Sequence, residues 1–355
     1  MKKTRIIAAL SGGVDSSTAA ALLKEAGNDV IGATLQLHPC HGTTEARSCC
    51  GFEAVAKARE TAGMLGIPHY VINMEKEFEE EVLRPSWEEY RNGRTPNPCI
   101  LCNERIKFGR LLKTADSLGA THLATGHYSR LDETGKALLR GVDPGKDQSY
   151  FLATLGSDIL SRVIFPLGGM LKSEVRVIAR RFGLPNAERV ESQDMCLIGA
   201  GETFSGMLLE RFGGQPKGGN IFDDNGVVVG THKGIHAFTV GQRRGLGFAT
   251  GKPAWVRGID SARNIVFVTH DENKLFSKTF NASGVRWISG EAGAMPLRCE
   301  VQVRYRQRPV SAEIHELGQG SVGVNLVEPI RAVTPGQAAV FFDGDRVLGG
   351  GWIDG

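Results

Sequence analysis

Ser11-Gly12-Gly13-Val14-Asp15-Ser16-Ser17 places two glycines, three hydroxyls and a carboxylate directly after the apolar run from Thr4 to Leu10. Such a run reads as a buried parallel strand, and Ser16 to Lys24, rich in Ala and Leu, reads as a helix. A strand feeding a glycine turn and then a helix aims several backbone N–H groups at one point, which suits a phosphate or pyrophosphate. Gly12 and Gly13 permit the positive φ and close backbone approach that a side chain would block. No Gly-Lys-Ser/Thr closes the turn, so it is not a Walker A loop, and it lacks the G-x-G-x-x-G spacing of a dinucleotide site. The plain alternative is a strand–helix turn capped by Asp15.

The second group able to do chemistry is sulfur. In Gly93-Arg94-Thr95-Pro96-Asn97-Pro98-Cys99-Ile100-Leu101-Cys102-Asn103, two prolines stiffen the approach to a helix. A thiol at that helix start is biased toward thiolate. Ser192-Gln193-Asp194-Met195-Cys196 sets another cysteine among polar residues, whereas Cys299, between Arg298 and Glu300, reads as an inert barrel cysteine. His127 is either a general base or a hydrogen-bonding residue at a strand end. His38-Pro39-Cys40-His41 with Cys49-Cys50 collects metal-ligand residue types, but the intervals differ from the common zinc-finger spacings.

These residues need a frame to hold them. Strand and helix alternate up to about residue 140: strands at Asp29 to Leu35, Pro68 to Asn73 and Thr121 to Thr125, helices at Phe52 to Leu65, Glu75 to Tyr90 and Leu101 to Leu118. That order predicts a doubly wound parallel sheet with its site at the C-terminal strand ends. A mainly helical stretch follows, and the Gly/Pro-rich segment from Gly213 to Gly219 marks a boundary. Asp224-Asn225-Gly226 signals a hairpin, and short strands continue through Ile265 to Thr269, Leu297 to Tyr305, Ser321 to Leu326 and Ala338 to Phe342. The expected domains are 1–212 (α/β), 213–282 (small, mainly β) and 283–355 (an antiparallel β-barrel). Arg304, Arg306 and Arg308 alternate and are expected on one strand face, and Arg243-Arg244 forms a second basic cluster.

With 355 residues there is room for two or three cores, and a net charge of +3 confines any polyanion site to a local patch. Seven cysteines are too few for a disulfide scaffold of this length. No signal-peptide or membrane-spanning pattern is present, so a cytoplasmic location is expected.

The phosphate turn resembles the PP-loop of ATP-pyrophosphatases. Further segments extend the likeness: Cys49-Cys50, Thr95 to Asn103, Ala124-Thr125-Gly126-His127-Tyr128, Lys146-Asp147-Gln148-Ser149-Tyr150, Ser192 to Cys196, Gly241-Gln242-Arg243-Arg244-Gly245-Leu246-Gly247, Arg304-Tyr305-Arg306 and Pro335-Gly336-Gln337-Ala338. Together they resemble the tRNA-specific 2-thiouridylase family, which adenylates the 2-carbonyl oxygen of the wobble uridine (position 34) and replaces it with sulfur. The resemblance implies that Ala9, Leu10, Ser11, Gly12, Gly13, Val14, Asp15, Ser16, Leu35 and Gly126 bind ATP, with Mg2+ at the pyrophosphate. It makes Cys102 the nucleophile and Cys196 the persulfide carrier, which implies a transient disulfide. Asn97, Pro98 and Cys99 would surround the target base, and Lys146, Asp147, Gln148, Arg304 and Tyr305 would contact tRNA.

The implied partners are the Lys, Glu and Gln isoacceptors and a cysteine desulfurase or sulfur-relay protein. Many members of the family carry Asp where this chain has Cys99. The resulting C-x-x-C, together with Cys196, leaves an iron–sulfur cluster open as an alternative. The likeness makes the His38–Cys50 region an insertion-prone loop rather than a zinc site. Competing readings are a PP-loop ligase of the amidotransferase or NAD synthetase type, a thiolase for another base, and a non-catalytic tRNA-binding sulfur relay.

Overall fold

The structure, a computed structural model, describes residues 4–38, 52–188, 201–214, 216–248 and 251–355. Cys40, His41, Cys49, Cys50 and the whole Ser192 to Cys196 motif lie outside the described residues.

Strands β1 (Arg5–Ala9), β2 (Asp29–Gln36) and β3 (His69–Asn73) are parallel, in the order β3-β2-β1, and the sheet continues through β4 (His122–Ala124) to a two-residue strand, Val163–Ile164. Helix α1 (Val14–Glu25) begins two residues earlier than its apolar pattern suggests. It packs through small side chains, Ala19, Ala20 and Ala21, all buried. Helix α2 (Phe52–Leu65) buries Ala54, Ala58 and Ala62 at the expected spacing. Two longer helical segments, 75–91 and 98–117, contain π-helical stretches at Glu79–Leu83 and Cys102–Arg110. Regular α-helix is what their sequence suggests. A π stretch is uncommon and is often found at functional sites.

The middle region forms a four-stranded sheet that includes the hairpin Gly219–Phe222/Val228–His232. Its turn is held by Asp223, whose Oδ1 accepts from the N–H groups of Asn225 and Val227 at 2.9 and 2.8 Å.

The barrel closes through six antiparallel strands, Phe276–Trp287, Leu297–Gln302, Val310–Gly318, Ser321–Arg331, Ala338–Asp343 and Arg346–Ile353, the first pairing with the last. Its first strand runs through position 282, where the sequence reading divides two domains. A hairpin from the N-terminal region, Ser129–Leu131 with Leu138–Arg140, adds to the last barrel strand. One apolar cluster contains Ile7 and Leu123 of the parallel sheet, Cys102 and Ile106 of the 98–117 helix, and Val340 and Phe342 of the barrel. Sheet and barrel therefore share a core.

One expectation is corrected here. Arg304, Arg306 and Arg308 do not share a strand face, because the strand ends at Gln302 and the chain turns. Arg306 has φ 64°, Gln307 N–H donates to the Arg304 carbonyl at 3.1 Å, and Pro309 has no N–H to extend a ladder.

Candidate active site

The glycine turn joins β1 to α1 as its sequence implies and is tied internally, but only Gly12 takes a positive φ, whereas Gly13 is extended at φ -90°. Ser16 Oγ accepts from Ser11 N–H at 3.1 Å, sits 3.1 Å from Ser11 Oγ and donates to the Gly13 carbonyl at 3.1 Å. Gly13 is the N-cap of α1 and no side chain caps it, so the first-turn N–H groups are directed to whatever sits on the turn. Asp15 is not the cap. Its Oδ1 accepts from Tyr128 Oη at 2.7 Å and Lys172 Nζ at 2.6 Å.

Gly12, at φ 72°, lies where an added Cβ would stand 2.4 Å from the Ala54 carbonyl oxygen. A Cβ on Gly126 would stand 2.8 Å from Ser16 N, so only glycine lets the strand end after β4 lie against α1. Ala9 and Leu10 end β1 at this turn, and Leu35 is half-buried at the neighbouring end of β2.

Lys172 is a site residue that sequence reasoning missed. Its side chain is 11 % exposed, so an ammonium is held against the turn where anionic oxygens would add to Asp15 as partners. The available signal was a lysine following Gly168-Gly169 at the start of a helix.

The second half of the site is the 98–117 helix. Asn97 Oδ1 accepts from Ile100 N–H at 3.3 Å, capping the helix with Pro98 at its first position. Cys99 is half-buried in the first turn, and Cys102 is buried one turn later at the start of the π stretch. Next to it, Asn103 Nδ2 donates to the Phe151 carbonyl at 3.1 Å.

The stretch leading into this helix is fixed from both other domains. Gln337 Nε2 donates to the Thr95 and Pro96 carbonyls, each at 3.0 Å, and Thr95 N–H donates to the Pro335 carbonyl at 2.8 Å. From the middle domain Thr239 meets the Thr95 hydroxyl at 3.1 Å.

Residues 147–151 join the two halves. Gln148 Oε1 accepts from Tyr128 N–H at 3.0 Å, and Asp147 accepts from Gly141 N–H, Ser149 and Arg140. The polar groups of Asp147 and Gln148 thus bond within the fold, while Lys146 is half-exposed. Tyr150 is buried and donates to the Ala338 carbonyl at 3.0 Å. Tyr305 packs on Phe151 with ring centroids 4.4 Å apart, beside exposed Arg304. Arg243 and Arg244 are exposed at the junction with the barrel, where a Cβ on Gly241 would stand 2.6 Å from Ala332 Cβ.

Burial, reinforced by Lys107, pushes the His127 imidazole well below its ordinary pKa. Its Nδ1 lies 2.7 Å from Thr125 Oγ1 and the ring is packed by Phe108 and Phe165, so a neutral hydrogen-bonded ring is what the fold holds. Burial, together with Glu300 and Asp343, raises the Cys299 thiol to about 12, consistent with an inert cysteine. Among the described residues no cluster of three or more His, Cys, Asp or Glu is arranged to hold a metal.

Comparison with known proteins decides the family. The family described as "tRNA methyl transferase HUP domain" matches residues 4–200, with its PRC-barrel domain at 207–270 and an aminomethyltransferase beta-barrel domain at 277–353. The chain is 47% identical to the tRNA-specific 2-thiouridylase MnmA of Geobacter metallireducens, over 99% of this chain and 97% of that protein. It is 46% identical to the Moorella thermoacetica protein of the same name, over 98% of each. The chain belongs to the tRNA-specific 2-thiouridylase family. Within that family frame, the HUP match spans the glycine cradle and the cysteine helix, and the barrel match spans Tyr305 and Gln337.

Proposed function

We infer that this chain uses ATP to replace the 2-carbonyl oxygen of the wobble uridine of tRNA with sulfur, releasing AMP and pyrophosphate. The observation that carries this reading is that the strand ending in an uncapped, glycine-built anion cradle and a cysteine-bearing helix share one core, in a chain nearly half identical to named 2-thiouridylases. Methyl transfer, the term in the matched family's description, has no need of such a cradle.

The uridine O2 attacks the α-phosphorus of ATP and pyrophosphate leaves, turning a poor leaving group into a good one. The first-turn N–H groups of α1 and Lys172 stabilise charge on the departing phosphates. Mg2+ would be held chiefly by those phosphates, with Asp15 the nearest carboxylate in the cradle. Sulfur arrives as a persulfide on Cys196. Its terminal sulfur attacks C2 of the activated base, and AMP leaves. Cys102 then attacks the Cys196 sulfur of that adduct, the original S–S bond breaks with 2-thiouridine as the leaving group, and a Cys102–Cys196 disulfide remains for an external thiol to reduce.

The flanks of the segment carrying Cys196 favour this pairing. Asn186, before it, touches the cradle, and Phe204 and Leu208, after it, share the apolar cluster of Cys102. Pro98 and Cys99 would face the extruded uracil. Asn97, spent on its cap, would act by setting the helix start. Lys146, Arg304 and Tyr305 would grip RNA, Asp147 and Gln148 would shape the turn beneath it, and the barrel and Arg243-Arg244 would read backbone and shape.

The RNA would be the Lys, Glu and Gln isoacceptors, and the donor a desulfurase or relay protein, in the cytoplasm. Incubation with ATP, magnesium, a persulfide source and unmodified tRNA should yield 2-thiouridine on nucleoside analysis. Cys196→Ser and Cys102→Ser should abolish the product yet keep tRNA-dependent ATP–pyrophosphate exchange. A thiolated product from either variant removes that cysteine from the reaction.

A further inference from the structure

A residue far outside its motif reaches the cradle. Asn186 is 2 % exposed, and its Nδ2 donates to the Gly12 carbonyl at 3.1 Å and to Ser17 Oγ at 2.8 Å. Ser17 Oγ in turn lies 3.2 Å from Thr61 Oγ1 on α2. The Gly12–Gly13 peptide is trans, as Met295–Pro296 is the only cis bond among the described residues. In a trans peptide the carbonyl and the following N–H point in opposite directions. Holding the Gly12 carbonyl toward Asn186 therefore turns the Gly13 N–H the other way, away from that buried contact.

Ala54 bars the side on which a Gly12 Cβ would lie, so loop and asparagine interlock. Stability alone is a weak reason for this amide. Its Oδ1 is buried with no hydrogen-bond partner among the described residues, an arrangement that costs free energy.

We propose that Asn186 is a positioning residue for ATP: it fixes the Gly12–Gly13 peptide so that the turn's N–H groups converge on the phosphates before ATP arrives. The pre-set peptide removes an ordering cost from binding. This rests on the reading of the cradle as the ATP site. Leu at 186 fills similar space without a donor, and Asp keeps the shape but presents a carboxylate to the Gly12 carbonyl.

The test uses the full chain with ATP and magnesium chloride, read by equilibrium dialysis and by tRNA-dependent pyrophosphate exchange. Asn186→Leu should raise the ATP Kd and the exchange KM for ATP roughly tenfold. Asn186→Asp should raise them further, and Ser17→Ala, which removes one of the two acceptors, should raise them less. In each, KM for tRNA and the exchange rate at saturating ATP should stay within about twofold of the parent, a split that a general loss of structure would not give. Wild-type ATP affinity in Asn186→Leu and Asn186→Asp overturns the proposal, as does a parallel rise in both KM values that tracks a fall in Tm. Should one 186 variant fail to fold, the other and Ser17→Ala carry the same comparison. A parent chain with no ATP exchange at all would instead remove the cradle reading.

Discussion

Within the glycine cradle, Ser11, Gly13 and Ser16 bond to one another across five residues of sequence. The 94–103 stretch instead draws its partners from as far away as Ile353, whose carbonyl accepts from Arg94 at 3.1 Å. One half of the site is thus a local backbone shape braced from outside. The other opens on a lead-in, 94–96, whose bonds reach both other domains before its own helix starts. Each half should therefore fail in its own way. The cradle should fail by steric intrusion at one point, and the cysteine stretch by losing clamps that lie in another domain.

Gly126→Val offers the harshest break. Its Cβ would fall 2.8 Å from Ser16 N and 2.9 Å from the Asp15 carbonyl carbon, forcing the first turn of α1 to move. A displacement approaching 1 Å in a positioning element costs about a hundredfold in rate, so pyrophosphate exchange should drop by that order. Filter-binding affinity for tRNA should stay within about twofold. Equal losses in both would show that the two halves are not separable.

Gln337→Leu attacks the other half. It strips two hydrogen bonds from the Thr95 and Pro96 carbonyls, each worth about 1 kcal/mol net. Single-turnover thiolation should slow about tenfold, with the KM for ATP unchanged. A rise in that KM would place the clamp in the cradle's service instead.

The smallest effect expected is on stability against pH. Burial, with help from Arg211, lowers His38 to about 4, and its Nε2 is buried without a partner among the described residues. The unfolded chain takes up this proton near pH 6.5 while the folded chain refuses it until about pH 4. The contribution is therefore complete above pH 6.5 and is lost as pH falls toward 4. Melting curves across that range should be flatter for His38→Gln, by a few degrees at the acid end. An identical slope would mean that the fold leaves the ring's titration where the unfolded chain has it.

How much of this was legible in the sequence follows the same division. The strand–turn–helix at Ser11 could be read because neighbouring residues make it, as could the Asp224-Asn225-Gly226 hairpin, whereas the cap that Asn97 forms was not read. Tyr128, Lys172 and Asn186 reach the cradle only through the winding of the sheet, and no spacing links them to Asp15 or Gly12. The π stretch from Cys102 leaves no periodic trace, since an apolar pattern over nine residues cannot separate it from α-helix. Arg304, Arg306 and Arg308 have the period of a strand, but Pro309 and the left-handed Arg306 end it. The proline was the signal to weigh. Asp147 and Gln148 look like surface polar residues in sequence, and only the fold turns their side chains inward.

The last barrel strand, Arg346–Ile353, pairs with Ala338–Asp343, with the first barrel strand and with the hairpin of the N-terminal region. Synthesis proceeds from the N-terminus and domains tend to fold as they emerge. The parallel sheet can therefore begin to form while the barrel is still an open sheet with an unsatisfied edge. Only when these eight residues leave the ribosome does the barrel close, and with it the clamp on the cysteine helix.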